Sequence, residues 1–547
     1  MIQYIEKTLI DHWDLPAYSD YQGESYSYAD VASHIVRLHL LFEEAGIRRG
    51  DRIAVCGPNS SRWGIAFMAI VSYGAVVVPI LNDFQPEQIH HIVNHSETRL
   101  LFAAANIRKV VEPEQMPDLY GILAVEDFSL HTSTTKLQAA IKSAATRFLQ
   151  TYPNGQLRAE QVKFEPEADG DDLMMINYTS GTTGFSKGVM LPYRAFDSNV
   201  EFACGQLNSH IKAGDNILSI LPMAHMYGLM LEFIYESLRG CHIFFLIRKP
   251  SQQVIAQACK EVRPRVIMAV PLILEKTVRM KVMKKFMASK SSKFINFPII
   301  GWFIKRKVSK ELIEAFGGNM YECVIAGAPL NQEVERFLHS IDFPLTVAYG
   351  ATECAPIITY SEWKSFVPGS CGRAVVNMEV RIDSNDPQTV SGEILARGKS
   401  VMLGYYKNPE ATAEALDEEG WYHTGDLGLM DRKGNVFIKG RKKNMLLGPN
   451  GQNIYPEEIE DKLNSMLMVS ESIVVQRNNR LEAIIHPDYD DARDLRLTDE
   501  NIYNILELDR KDLNEMLPAY EHIQAVNIQR EEFEKTAKRS IKRHLYK

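Results

Sequence analysis

The chain has 547 residues, of which 45% are hydrophobic and 24% charged, with a formal net charge of -8 at pH 7. This length exceeds one ordinary core, and about 150 residues per domain predicts three or four folding units with globular composition. The acidic balance excludes a generalised nucleic-acid binder, which needs clustered Lys and Arg to neutralise phosphates.

The first residues, MIQYIEKTLIDHWDLPAY, lack the basic segment, apolar core and small-residue cleavage site of a signal peptide. No apolar run reaches the roughly 18 to 20 residues that span a bilayer. The cysteines (56, 204, 241, 259, 323, 354 and 371) are odd in number, scattered and never arranged as CxxC. That pattern excludes a zinc knuckle and points to reducing cytoplasm.

From Tyr26 onward, helical patterns such as YADVASHIVRLHLLFEEAG alternate with short apolar runs such as DRIAVCG and AVVVPI. Strands alternating with helices at this spacing predict parallel, doubly wound sheets. His91 and His95 lie four apart on a helix opened by Pro86, but no glutamate follows His91 and no third metal ligand is evident. Residues 104 to 170 read as loop-rich.

Residues 178 to 188, YTSGTTGFSKG, are mostly Gly, Ser, Thr and Lys, and follow the apolar strand-like run DDLMMIN. Glycines 181, 184 and 188 let a ligand approach the main chain closely. The hydroxyls of Thr179, Ser180, Thr182 and Thr183 and the Lys187 ammonium can then face phosphate oxygens or a phosphate-bound metal. The spacing is not that of the common P-loop. A flexible connection is the plain alternative.

Further on, His225 interrupts the apolar stretch ILSILPMAHMYGLMLEF, where a histidine reads as a core or pocket-wall residue. Residues 281 to 310 carry nine Lys or Arg and no acid around an apolar centre. Such a segment can lie in an anionic membrane interface, or it can be a packed helical insertion with a solvated basic face. Pro298 and Gly301 predict a division into two helices. MYECVIAGAPL and PLTVAYGATECAP read as buried strands ending in small residues, with Tyr349, Thr352 and Glu353 beside them. SGEILARG, GWYHTGDLGLM and NVFIKG read as strands of a small β-barrel, with a hairpin turn at 431 to 434. YPEEIEDKLNSM predicts a helix burying Ile459, Leu463 and Met466, and SIVVQRNNRLEAIIHP a hairpin turning at Asn478-Asn479.

In this order, YTSGTTGFSKG, AYGATE, GWYHTGD and KGRKKNMLLGPNGQNIYPEEIE resemble the adenylate-forming superfamily of acyl-CoA synthetases, peptide-synthetase adenylation domains and beetle luciferases. The basic insertion is similar to that of long-chain fatty acyl-CoA ligases. The resemblance implies an α/β fold: a large N-terminal AMP-binding domain (1-440) of doubly wound sheets plus a small β-barrel, and a mobile α+β C-terminal domain (441-547). It implies an ATP- and Mg2+-dependent ligase that activates a long-chain fatty acid as acyl-AMP and transfers it to coenzyme A. The alternatives are a fatty acyl-AMP ligase loading a carrier-protein thiol and an adenylation-impaired nucleotide-binding protein. The implied location is cytoplasmic, with peripheral contact at the inner face of the membrane if 281-310 meets lipid.

By the same resemblance, Thr179, Ser180, Gly181, Thr182, Thr183, Gly184 and Lys187 hold the ATP β and γ phosphates. Gly327, Ala328 and Pro329 with Tyr349 and Gly350 frame adenine, and Thr352 contacts the α-phosphate. Glu353 and Thr179 bind Mg2+, Asp426 the ribose hydroxyls, and Arg441 the nucleotide. Lys443 is the hinge, Gly451 lines the pantetheine path, and His225 lies beside the acyl carboxylate. The chemistry is coherent: a carboxylate is a poor electrophile, and its attack on a phosphate requires cationic groups that neutralise the phosphate charge. The chain departs from the family pattern at Ser186 (commonly proline), at Leu447 (often lysine) and at Ser540, where KTAKRSIKR replaces the lysine that completes adenylation. An extended tail would leave Lys538 and Lys542 on the face of Ser540, each displaced by about 6.6 Å.

Overall fold

Apolar runs between Arg52 and Pro192 form the centre of an eight-stranded sheet, ordered Gly404–Tyr405, Lys187–Pro192, Leu173–Thr179, Val76–Ile80, Arg52–Cys56, Thr98–Ala103, Gly121–Ala124 and Leu130–Ser133. The central pairs are parallel and the edges antiparallel. Val76–Ile80 is buried throughout, as expected of a strand covered on both faces. The computed structural model describes residues 1–547 apart from 168, 180–186, 248–250, 279–297, 449–451, 467, 479, 536–540 and 547.

A second sheet pairs Asn216–Ser219, His242–Phe245, Pro16–Asp20 and Ser25–Ser27, and a third pairs Val266–Ala269, Glu322–Ile325 and Leu345–Val347 in parallel. The helix Ser61–Tyr73 buries Trp63, Ile65, Phe67 and Ile70 on different sides, the mark of a helix enclosed by other layers. The helix Tyr28–Ala45 starts at a Ser27–Asp30 capping box and stops at Gly46 with φ +75°.

Two local expectations are corrected. Residues 104–170 contain the sheet-edge strands Gly121–Ala124 and Leu130–Ser133 and the long helix Thr135–Thr151. That helix buries only Leu137, Ala140, Ala144 and Phe148, and the small alanines at two contact points weaken its apolar signature. In the basic segment a helix boundary falls at Pro298, where Pro298–Ala315 begins, but not at Gly301, through which that helix runs without a break. Proline is tolerated in a first turn, where its missing N–H has no partner to lose, and a glycine in that turn costs little cooperativity. Residues 281–297 lie outside the described residues.

Strands Met378–Asp383, Gly392–Gly398, Tyr422–Met430 and Val436–Arg441 pair antiparallel in that order. The 431–434 turn is closed by the Gly434 N–H on Asp431 O at 3.0 Å, with Gly434 at φ +83°. The C-terminal part has a core of its own around Ile459, Leu463, Val474, Leu481, Leu506 and Val526. It is built from the helices Pro456–Asn464 and Asp499–Met516, the hairpin Val469–Arg477/Arg480–Pro487 and the strand Ile523–Ile528. Met466 falls just past its helix and packs half-buried against this core. All seven cysteines are free. Among the described residues no helix is long and apolar enough to cross a membrane.

Candidate active site

Thr179 and Lys187 are direct partners in the antiparallel pair of Leu173–Thr179 with Lys187–Pro192, so the glycine-rich loop leaves and rejoins the sheet at one point. Ser180, Gly181, Thr182, Thr183, Gly184 and Ser186 lie outside the described residues. At Gly188 a Cβ would come within 2.9 Å of Ile176 and 3.1 Å of the Tyr178 ring, so a glycine closes this strand pair.

From Lys187 a run of contacts joins the four motifs. Lys187 Nζ lies 4.8 Å above the ring of Tyr405. Tyr405, paired with Val189 at the sheet edge, donates its hydroxyl to Glu353 Oε1 at 2.9 Å. Burial, and then the Glu353 carboxylate, push the Tyr405 phenol far above its ordinary range. Thr352 and Glu353 form a tight turn, Thr352–Cys354, directly after Tyr349–Gly350. A Cβ at Gly350 would fall 2.2 Å from Pro356 O, which excludes any other residue there. Tyr349 donates its hydroxyl to Asp426 Oδ2 at 2.7 Å, and Arg441 Nε meets Asp426 Oδ1 at 2.7 Å.

Asp426 and Arg441 are partners across their strands, which is why a buried carboxylate and a half-exposed guanidinium meet. Burial pushes the Asp426 carboxyl above the usual carboxylate range, against the pull of Arg441 and the Tyr349 hydroxyl. Burial opposes the charge of Arg441, but Asp426, Tyr349, Tyr422 and Glu353 together hold its pKa above the ordinary value. Glu353 thus acts electrostatically on both members of the pair.

Gly327, Ala328 and Pro329 are exposed at the end of Glu322–Ile325, with Gly327 at φ +88°. The Ala348 N–H on Ile325 O at 2.8 Å sets this loop beside Tyr349. His225 is half-buried at the head of the helix Met226–Leu229, and the Tyr227 hydroxyl donates to Val324 O at 2.8 Å, tying that helix to the same strand end. His91 and His95 stack with ring centroids 5.5 Å apart, and His95 Nδ1 meets the Tyr178 hydroxyl at 2.7 Å.

Lys443 is exposed within the single turn Lys442–Asn444 that follows Arg441. Beside it, Lys442 pairs with buried Glu393 at 2.9 Å and Asn444 donates to Glu457 at 2.6 Å. Asn331 reaches Ser465 Oγ at 2.5 Å, so the helix Pro456–Asn464 is also tied to the region just past the Gly327 loop. Gly451 and Ser540 lie outside the described residues. On either side of Ser540, Lys535 and Ile541 form an antiparallel bridge, and the Lys542 N–H donates to Glu534 O at 2.8 Å. Lys542 Nζ pairs with Glu534 at 3.3 Å. Next to it, Arg543 pairs with Glu460, whose carboxyl burial pushes up to about 7 against that pairing.

Among the described residues no group of three His, Cys, Asp or Glu side chains converges on a point. Magnesium does not require one, because it keeps waters and substrate phosphates and uses one or two carboxylates. Glu353 fits: Tyr405 engages one of its oxygens, and no bond to the other is formed among the described residues. Sequence reasoning missed Tyr405, Tyr227 and Glu232. Tyr405 lies in an ordinary GYYKNP turn, and only its pairing with Val189 brings it to Lys187.

Residues 6–406 match the AMP-binding enzyme family. The long-chain-fatty-acid CoA ligase ACSBG2 of Homo sapiens is 27% identical over 449 residues, which cover 76% of this chain and 65% of that protein. A long-chain-fatty-acid CoA ligase of Escherichia coli O157:H7 is 27% identical over 485 residues, 84% of this chain and 80% of that one. The 4-coumarate CoA ligase 1 of Arabidopsis thaliana is 28% identical over 456 residues, 80% of this chain and 73% of that one. The anthranilate CoA ligase AuaEII, solved with anthranoyl-AMP, shares the fold with a TM-score of 0.79 at 18% identity, over 100% of this chain and 96% of that one. ATP-bound MatB from Rhodopseudomonas palustris shares it at 0.74 and 21% identity, over 99% and 97%.

Proposed function

Because the chain belongs to the AMP-binding enzyme family, we propose that it is an ATP- and Mg2+-dependent acid:coenzyme A ligase that activates a long-chain fatty acid as acyl-AMP. The observation that carries this reading is the run Lys187, Tyr405, Glu353, then Tyr349, Asp426 and Arg441, which gathers cationic, carboxylate and hydroxyl groups from four distant motifs. Lys187 and Arg441 neutralise phosphate charge at the two ends of the crevice. Asp426, buried and already accepting from two donors, takes the ribose hydroxyls by exchanging partners. The Gly327–Pro329 loop and Tyr349 hold the base, and Thr352 the α-phosphate. Glu353 with Thr179 would hold Mg2+, which when bound would neutralise phosphate charge that otherwise repels the attacking carboxylate. His225 faces the acyl carboxylate, and a coenzyme A thiol then displaces AMP along the path of Gly451. Residues 441–547 rotate as a lobe about Lys443 against 1–440.

Long-chain specificity is supported by the human and Escherichia coli relatives' names, while the 4-coumarate relative marks the competing acid class. The test is pyrophosphate and AMP release with C2 to C18 acids and 4-coumarate, with coenzyme A or a carrier protein as acceptor. Turnover that rises with chain length and needs coenzyme A is expected. Acyl-AMP released only onto the carrier protein would replace this reading with the acyl-AMP ligase, and no AMP from any acid would refute both.

Peripheral contact with an anionic bilayer forms part of the same proposal. On the helix Pro298–Ala315, Trp302 and Phe303 are 49% and 63% exposed, and Arg306 lies 5.1 Å over the Trp302 ring. Lys307 and Lys310 are exposed on the same helix, while Val308 and Leu312 turn inward. Aromatic rings beside cations suit the headgroup level, in a chain whose net charge is otherwise negative. Co-sedimentation with phosphatidylglycerol vesicles should be lost in Trp302→Ser/Phe303→Ser and at high salt. Equal binding to neutral vesicles would refute the electrostatic part.

A further inference from the structure

The strand Asn216–Ser219 runs into a turn that ends at His225, and its polar clamps come from elsewhere in the chain. Asn59 donates to Leu221 O at 2.7 Å and accepts the Met223 N–H at 2.9 Å. Asn177 donates to Ala224 O at 3.1 Å. Glu232 Oε2 accepts three hydrogen bonds at the start of the turn: the Ile220 N–H at 3.0 Å, the Leu221 N–H at 2.9 Å and the Ser219 hydroxyl at 3.3 Å.

Glu232 is 0% exposed and stands at the middle of a π-helical turn, Met230–Ile234, set between the short helices Met226–Leu229 and Tyr235–Leu238. A π turn takes one residue more than an α turn, and since each α-helical residue advances about 100°, it changes which side chain faces the strand end. Such turns are rare and concentrate at functional sites. The two N–H groups it receives lie past the end of their strand, where no neighbouring strand takes them.

We propose that Glu232 is a positioning residue: its buried carboxyl fixes the 219–225 turn and thereby presents His225 to the acyl carboxylate. The inference rests on the acid-ligase reading for the role of His225, and on geometry alone for the clamp. Glu236, one turn further along, supplies the contrast. It is also 0% exposed, yet among the described residues neither of its oxygens meets a donor beyond its own backbone N–H. Two buried acids thus lie on one helical run, and only the one that reaches the His225 turn is engaged. The other oxygen of Glu232, Oε1, is buried without a hydrogen-bond partner among the described residues.

The experiment compares full-length Glu232→Gln, Glu232→Asp and Glu232→Leu with parent and with Glu236→Leu. Hydrogen exchange without substrate, read on the peptide 216–226, should rise at least tenfold at Ile220 and Leu221 in the Leu and Asp variants. Gln keeps an acceptor at the same reach and should recover most of the protection. In pyrophosphate-release kinetics, the Leu and Asp variants should lose tenfold or more in kcat/KM for the fatty acid, with KM for ATP within twofold. Glu236→Leu should leave both constants near parent. Parent-like exchange in folded Glu232→Asp would overturn the clamp. Equal losses towards ATP and acid would overturn positioning in favour of general damage. A parent that releases no pyrophosphate with any acid would remove the activity reading, and the exchange data would still decide the clamp.

Discussion

Asp426→Ala separates the two jobs assigned to this carboxylate. In the free protein it accepts from Tyr349, whose side chain is buried, and from Arg441, whose side chain is 55% exposed. Removing it takes the carboxylate acceptor from the buried Tyr349 hydroxyl, which keeps Thr424 as a side-chain neighbour, a cost of up to about 1–3 kcal/mol. Solvent screens the Arg441 pair, so its loss adds less than about 1 kcal/mol. For units of about 150–250 residues each kcal/mol lowers Tm by roughly 2–4 °C, so the variant should stay folded at room temperature. ATP loses hydrogen bonds from two ribose hydroxyls to a charged acceptor, of which one is balanced by the partners already given up. A net loss of about 1.5–3 kcal/mol corresponds to roughly 10- to 150-fold weaker binding. Calorimetric titration of ATP, with circular dichroism on the same samples, reads both quantities. An ATP affinity within twofold of parent in a folded variant would refute the ribose assignment.

Further outcomes follow from other residues. Glu322 is buried, accepts from Tyr360 at 2.6 Å and the Trp363 N–H at 2.8 Å, and has its pKa pushed up to about 7 by burial, the two hydrogen bonds opposing. The native state therefore holds its proton more tightly than the unfolded chain. Its contribution is complete below about pH 4.5 and is lost as pH rises through 7, so the denaturant stability of parent relative to Glu322→Gln should fall by up to about 3 kcal/mol between pH 5 and 7.5. A constant difference would refute the shift. Glu236→Leu should raise Tm by a few degrees, because a buried carboxyl without a partner is replaced by an apolar side chain of similar size. A lower Tm would show that the acid has a partner. Lys443→Pro fixes φ near -65° and should block rotation, leaving acyl-AMP formation and removing thioester formation. Equal loss of both steps would indicate damage instead. Ser540→Lys should raise pyrophosphate release strongly and change thioester formation from supplied acyl-AMP little, and no gain would show that another residue serves the α-phosphate.

Much of the frame was legible because its signals are local. The run at Val76–Ile80, the helical periodicity of Tyr28–Ala45 and the strand-like run at Leu173–Thr179 each need only neighbours in sequence. The helix Thr135–Thr151 was not legible, because Ala140 and Ala144 pack without raising the apolar periodicity that betrays a helix. The division expected from Pro298 and Gly301 falls at Pro298 alone. The local rule about proline held, and the one about glycine was outweighed by a helix whose Val308 and Leu312 anchor it from the other end.

The site divides along the same line. Glu353 and Asp426 could be singled out because each stands inside a motif, but what engages them could not. Tyr405 reaches Glu353 through an edge-strand pairing, and Arg441 reaches Asp426 through a register fixed across a four-stranded sheet. Glu232 is the instructive case, since a signal was present and was not used. An acid inside the apolar run MYGLMLEFIYESL has no solvated face to occupy, so burial forces a choice between a cost of several kcal/mol and a set of donors. Glu232 resolves that choice on the backbone of the His225 turn and Glu236 leaves it unresolved, and no spacing rule distinguishes two glutamates four residues apart. What distinguishes them is where an unpaired strand end happens to lie, which only the folded chain supplies.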